Sequence, residues 1–140
     1  MQAMRSSNGA VEVLVGYAAD AGGGVAYARL TGPHCSDLLR FDFRSSCPAA
    51  HADHAAAYAA LTAVARALAK RKIRNASFVI ADAQFVDEIV TGRNVSEAYA
   101  IPYVRLRCAL NALAAFSVRV GSVDDLAQRA RAEVALNVAA

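Results

Sequence analysis

Residues Val11 to Leu30 read VEVLVGYAADAGGGVAYARL, two mostly apolar runs around a glycine-rich turn. The first run, Val11 to Ala18, is rich in β-branched residues and apolar on both faces apart from Glu12. This pattern is typical of a central strand that is covered on two sides. Because clustered glycines mark turns, the segment predicts a β-hairpin whose second strand is Val25 to Leu30.

A third strand and a long helix are predicted next. In Ser36 to Phe43 apolar and polar residues alternate towards the end, which is the period of a strand with one face in water. From about Pro48 to Lys72 the chain has no glycine and places apolar residues at helical spacing. The end of this helix is basic, and its cluster either contacts phosphates or pairs with the negative end of the helix dipole. The cluster comprises Lys70, Arg71, Lys72 and Arg74.

The second half of the chain alternates strands and helices. Ala76 to Ala81 predicts a fourth strand, Asp82 to Val90 a short helix and Pro102 to Ala115 a further helix. Ser117 to Val120 predicts a short strand before a final helix from Val123. Strands joined through a helix pair in parallel by a right-handed crossover. We therefore expect an α/β fold with a five-stranded mixed sheet, three antiparallel strands and then parallel ones, flanked by helices.

Composition indicates one cytosolic domain. The chain has 140 residues, is 56% hydrophobic and 19% charged, and can bury a core of its own. We expect residues 1–9 to form a flexible arm and residues 10–140 a single domain.

The three cysteines lack zinc-ligand spacing, and no run of about 18 apolar residues predicts a membrane span. We therefore expect a cytoplasmic protein without membrane contact. The net charge of +3 is compatible with phosphate contacts but does not itself indicate nucleic-acid binding.

Four stretches, in this order, resemble the ribonuclease H type 1 family. They are the hairpin of residues 11–30, AAAYAALTAVARAL at 55–68, ADAQFVDEIV at 81–90 and VDDLAQRA at 123–130. The resemblance implies the ribonuclease H-like fold. It also implies hydrolysis of the RNA strand of an RNA–DNA hybrid by two divalent cations, Mg²⁺ or Mn²⁺, which four carboxylates hold.

The resemblance retains only two of those four carboxylates. Asp82 and Asp124 fall on the family's strand-four and final-helix aspartates, which makes them the candidate catalytic and metal-binding residues. Each has a second interpretation as a residue that caps or opens a helix. The strand-one aspartate aligns with Gly16, and the long-helix glutamate aligns with Ala57, or with Ala56 if the register slips by one.

Other residues could replace the missing ligands. Asp20 lies four residues beyond Gly16 and could reach back if the hairpin carries a bulge. His51 and His54 share one face at the start of the long helix, where they are either solvated or a pair of transition-metal ligands.

Three functions follow from these patterns. The first is a catalytically degenerate member, a pseudoenzyme that binds an RNA–DNA hybrid, other nucleic acid or a protein partner. The second is a hydrolase with a rearranged site of Asp82, Asp124 and Asp20, which would need Mg²⁺ or Mn²⁺; no other cofactor is expected. The third is an assembly module that dimerises through a strand edge or the alanine-rich helix. A site with two carboxylates instead of four offsets less of the free-energy cost of dehydrating Mg²⁺. The first function is therefore the expected one.

Overall fold

The computed structural model describes residues 10–20, 22–44 and 52–139 of the chain. The predicted arm of residues 1–9, the predicted helix start before Ala52, and His51 lie outside the described residues. The elements in chain order are β1 (Val11–Ala19), β2 (Gly23–Gly32), β3 (Cys35–Arg44), α1 (Ala52–Lys70), β4 (Asn75–Ile80), α2 (Ala83–Thr91), a 3₁₀ turn (Glu97–Tyr99), α3 (Ala100–Asn111), β5 (Ala115–Val120) and α4 (Asp124–Ala139).

The five strands form one mixed sheet in the order β3-β2-β1-β4-β5. β1 pairs antiparallel with β2, placing Val15 opposite Ala28, and β2 pairs antiparallel with β3. β4 pairs in parallel with β1, placing Val13 beside Phe78, and β5 pairs in parallel with β4. The predicted five-stranded arrangement is therefore confirmed, with β1 in the centre.

Helices cover both faces of the sheet. On one face, α1 packs on β1, β2 and β3 and is itself in contact with α3. On the other face, α4 packs on β1 and β2, where Leu126 and Ala130 join Val25 and Tyr27 in a second, smaller core. The alanine-rich α1 buries much of its surface inside the chain, since its buried residues include Ala55, Ala56, Ala57, Ala60 and Ala65. Within the described ranges, no helix combines the length and the apolar character that a membrane span requires.

Two helices end earlier than predicted. α1 stops at Lys70 because Lys72 takes a left-handed conformation, with φ of 63°, and donates its N–H to the Ala69 carbonyl. α3 stops at Asn111 rather than near Ala115, and it begins at Ala100 rather than Pro102. The N–H groups of Ala114 and Ala115 donate to the Arg74 carbonyl. These bonds start β5, so strand pairing overrides the helical preference of the alanines.

Candidate functional site

Asp82 caps α2, as one of its two interpretations predicted. Its Oδ1 accepts a hydrogen bond of 3.0 Å from the N–H of Phe85, and its carbonyl accepts one from Val86. Its other carboxylate oxygen, Oδ2, lies 3.4 Å from Nδ1 of His54. Both carboxylate oxygens of Asp82 therefore have a polar neighbour within this chain.

His54 connects Asp82 to a buried glutamate. Its Nε2 lies 2.9 Å from Oε1 of Glu88, and the Tyr58 hydroxyl donates to the same oxygen at 2.5 Å. Only 2% of Glu88 is exposed. Burial, together with the neighbouring Glu88 carboxylate, raises the pKa of Tyr58 above its ordinary value. A network of side chains from α1 and α2 thus stands beside Asp82.

The sequence interpretation missed Glu88. The available signal was its place on α2 among Phe85, Val86 and Ile89, which predicts a buried side chain. A buried carboxylate needs hydrogen-bond donors, and His54 and Tyr58, one turn apart on α1, supply them.

Gly16, which the resemblance aligns with the family's strand-one aspartate, lies directly beneath α4. A β-carbon added to Gly16 would stand 2.5 Å from the backbone nitrogen of Ala127 and 2.6 Å from Cβ of Leu126. These separations are shorter than any van der Waals contact, and one of the atoms belongs to the helix backbone. The position therefore has no space for a side chain while α4 is docked.

Ala57, which the resemblance aligns with the family's long-helix glutamate, lies in the main core. Both Ala57 and its neighbour Ala56 are fully buried, so neither helical register brings this position to the surface. A glutamate there would need to desolvate its charge.

A cavity of about 460 Å³ lies at the end of β1 beside Gly16, and we call it the Gly16 cavity. Its charged lining residues are Asp53 and Arg131, and the half-buried Tyr17 also lines it. Burial, followed by the charges of Asp82 and Asp53, raises the pKa of Tyr17 above its ordinary value. The full lining is Gly16, Tyr17, Ala18, Ala19, Asp53, Ala81, Val123, Ala127, Arg131 and Val134.

The other proposed ligands do not gather around this cavity. Asp124 begins α4 and is exposed, and Asp125 beside it pairs with Arg29 at 2.9 Å, which lowers the pKa of Asp125. Asp20 is exposed in the hairpin turn, where its Oδ1 accepts from the N–H of Gly22 at 3.1 Å. Asp20 does not line the Gly16 cavity. In the part of the chain that the structure describes, no three His, Cys, Asp or Glu side chains are grouped so as to hold a metal ion.

The basic cluster after α1 lies at the opposite end of β4 from Asp82. The six residues of β4 separate Arg74 from the Asp82 end of the strand by about 20 Å. Lys70, Lys72 and Arg74 are exposed, and Arg71 pairs with Asp37 at 2.9 Å. The structure therefore does not bring this cluster to the retained aspartates.

No protein-family model and no curated protein sequence matches this chain. Solved structures do match it. RNase H1 from the halophilic archaeon Halobacterium salinarum NRC-1 is 15% identical with a TM-score of 0.71, over 91% of this chain and 98% of that one. An N-terminal RNase H domain from Mycobacterium tuberculosis, solved as a fusion with maltose-binding protein, is 15% identical with a TM-score of 0.69, over 91% and 99%. LC11-RNase H1, solved in complex with an RNA/DNA hybrid, is 11% identical with a TM-score of 0.70, over 93% and 99%. With this agreement over nearly its whole length, the chain has the ribonuclease H fold.

Proposed function

We propose that this protein binds nucleic acid without cleaving it. The observation that carries the proposal is the close approach of α4 to Gly16, whose β-carbon would stand 2.5 Å from the backbone nitrogen of Ala127. Two-metal hydrolysis needs hard oxygen ligands from several elements around both ions. At Gly16 the helix backbone occupies the space of one such ligand, and Ala57 is fully buried, so a carboxylate there would have to lose its hydration.

The remaining aspartates support the loss of catalysis. Asp82 accepts a backbone hydrogen bond through one oxygen and lies beside His54 through the other. The imidazole beside the second oxygen crowds the side from which a metal ion would approach it. A hydrolase that uses Asp82, Asp124 and Asp20 instead is not favoured, because Asp20 makes its hydrogen bond inside the hairpin turn.

Binding of nucleic acid is supported by charge. All 12 acidic residues of the chain fall within the described ranges, yet none lies within 4 Å of the Arg131 guanidinium. A guanidinium without a carboxylate partner suits a phosphate, which it can bind through two parallel hydrogen bonds. Arg131 lines the Gly16 cavity, and we infer that it contacts the backbone of a bound strand there. Lys70, Lys72 and Arg74 are a second proposed phosphate contact, at the far end of β4.

The test uses a fluorescently labelled RNA–DNA hybrid. Anisotropy titrations over a range of salt concentrations are expected to give binding that weakens as salt rises, since phosphate contacts release counterions. Arg131→Gln is expected to weaken binding and to reduce the salt slope by about one. Arg93→Gln is the matched control, because Arg93 is exposed after α2 and does not line the Gly16 cavity.

The same hybrid tests the absence of cleavage. Incubation with Mg²⁺ or Mn²⁺ at high protein concentration is expected to give no product. Cleavage that Asp82→Asn abolishes would establish the rearranged hydrolase instead. An absence of binding at low salt would remove the nucleic-acid proposal.

A further inference from the structure

A second cavity lies between α1, α3 and the end of β3, and we call it the arginine groove. Its volume is about 300 Å³. Arginines from three different elements line it: Arg44 at the end of β3, Arg66 on α1 and Arg105 on α3. It shares no lining residue with the Gly16 cavity.

The positive charge of the groove is not balanced by the protein. Asp42 is the one acidic residue in the lining, and it pairs with Arg40 at 2.9 Å. Across the described ranges, which contain every acidic residue of the sequence, Arg44, Arg66 and Arg105 have no carboxylate within 4 Å. Cations that line one cavity repel each other, and an anion bound among them relieves that repulsion.

The floor of the groove is apolar and made of small side chains. Ala55, Ala59 and Ala63 line it at successive four-residue steps along α1, so they form one row on the helix surface. Phe43 and Pro102 line it as well. The neighbouring row carries two hydroxyls, and both donate within the chain: Thr62 to the Tyr58 carbonyl at 2.7 Å and Tyr58 to Glu88 at 2.5 Å. The floor therefore offers van der Waals contact, and the arginines offer the polar contacts.

We propose that the arginine groove binds a small organic phosphate of nucleotide type, with its phosphates on the arginines and its organic part on the alanine row. Guanidinium groups bind phosphate oxygens in bidentate fashion, and ligand pockets combine an apolar lining with a few charged groups. A volume near the lower end of the range for small-molecule pockets fits one such molecule rather than a duplex.

Isothermal titration calorimetry at low ionic strength tests this site with two probes, ATP and inorganic triphosphate. ATP is expected to bind saturably, and triphosphate about tenfold more weakly, because it lacks the part that contacts the alanine row. Arg66→Gln and Arg105→Gln are each expected to weaken ATP binding about tenfold or more. Ala59→Leu fills the floor without changing charge and is expected to abolish binding, whereas Arg93→Gln leaves it unchanged.

Several results would overturn the proposal. These are no saturable ATP binding, ATP binding that the groove variants leave intact, and triphosphate binding as tight as ATP binding. Thermal unfolding checks that each variant is folded, and the four arginine variants change exposed side chains. Anisotropy with the RNA–DNA hybrid separates the two sites, since Ala59→Leu is expected to leave hybrid binding intact and Arg131→Gln to leave ATP binding intact.

Discussion

The backbone nitrogen of Ala127 lies 2.5 Å from the position that a β-carbon on Gly16 would occupy. This contact joins two features of the molecule. The glycine lets α4 approach β1 closely, and the same glycine removes the carboxylate that the ribonuclease H resemblance implies at this strand position. The close packing of α4 on β1 therefore leaves no space for a side chain at this strand position.

Substitution of Gly16 is expected to destabilise the protein. Gly16→Ala inserts a methyl group into occupied space, and overpacking of this kind costs about 1–3 kcal/mol of unfolding free energy. Gly16→Asp should cost more, because its carboxylate also loses water. Urea unfolding measures both. Gly22→Ala is the control, since a β-carbon at Gly22 meets nothing within 4 Å, and its stability should equal or slightly exceed that of wild type. Equal stability of Gly16→Ala and wild type would contradict the packing argument.

Removal of the buried carboxylate of Glu88 is expected to be costly. Glu88→Ala leaves the Tyr58 hydroxyl and His54 without their acceptor and should lower the unfolding free energy by about 3 kcal/mol. Combined with Tyr58→Phe in a double-mutant cycle, it should show a coupling energy of about 0.5–3 kcal/mol. Asp87→Ala, an exposed neighbour on α2, should change stability by less than about 0.5 kcal/mol. Additive effects of the two substitutions would show that the pair is not coupled.

Local sequence patterns predicted the elements of this fold, and contacts distant in sequence explain what those patterns missed. Apolar runs around clustered glycines predicted the hairpin, and the position of Asp82 before an apolar helix predicted its cap, because both depend on neighbouring residues. Glu88 is bonded to residues 30 and 34 positions away, and no local period predicts those partners. The closeness of Gly16 to Ala127 is still less local, since it depends on how α4 docks on the sheet. An aligned motif predicts that Gly16 stands in place of a carboxylate, whereas it does not predict the close packing of α4 on Gly16.

Stability is expected to fall at alkaline pH because of two tyrosines. Burial raises the pKa of both Tyr17 and Tyr58 above the ordinary value of about 10. Above pH 10 the unfolded chain releases these protons while the folded chain keeps them, so stability is fully present below about pH 10 and is lost as pH rises. Tyr58→Phe should reduce the slope by up to about 1.4 kcal/mol per pH unit above that point. Urea unfolding at a series of alkaline pH values measures the slope, and an unchanged slope in the variant would refute the assignment to Tyr58.

Lys72→Gly is expected to stabilise the protein although it removes a charge next to the end of α1. Lys72 has a φ of 63°, in the left-handed region where a β-carbon is strained and glycine is not. The hydrogen bonds from Lys72 N–H to Ala69 and from Ile73 N–H to Leu68 hold the residue in this conformation. Glycine relieves this strain, but ordering it costs more conformational entropy because it is more flexible in the unfolded chain. The net effect should raise the unfolding free energy by about 0.5–1 kcal/mol.

Lys70→Gly is the matched control for that substitution. It removes the same charge two residues earlier, but Lys70 is the last residue of α1, where glycine costs about 0.5–1 kcal/mol. The two variants should therefore shift the urea midpoint in opposite directions. If both lower it by the same amount, the lost interaction of a positive charge with the helix dipole governs this helix end. Opposite shifts would show that the backbone conformation of Lys72 governs it instead.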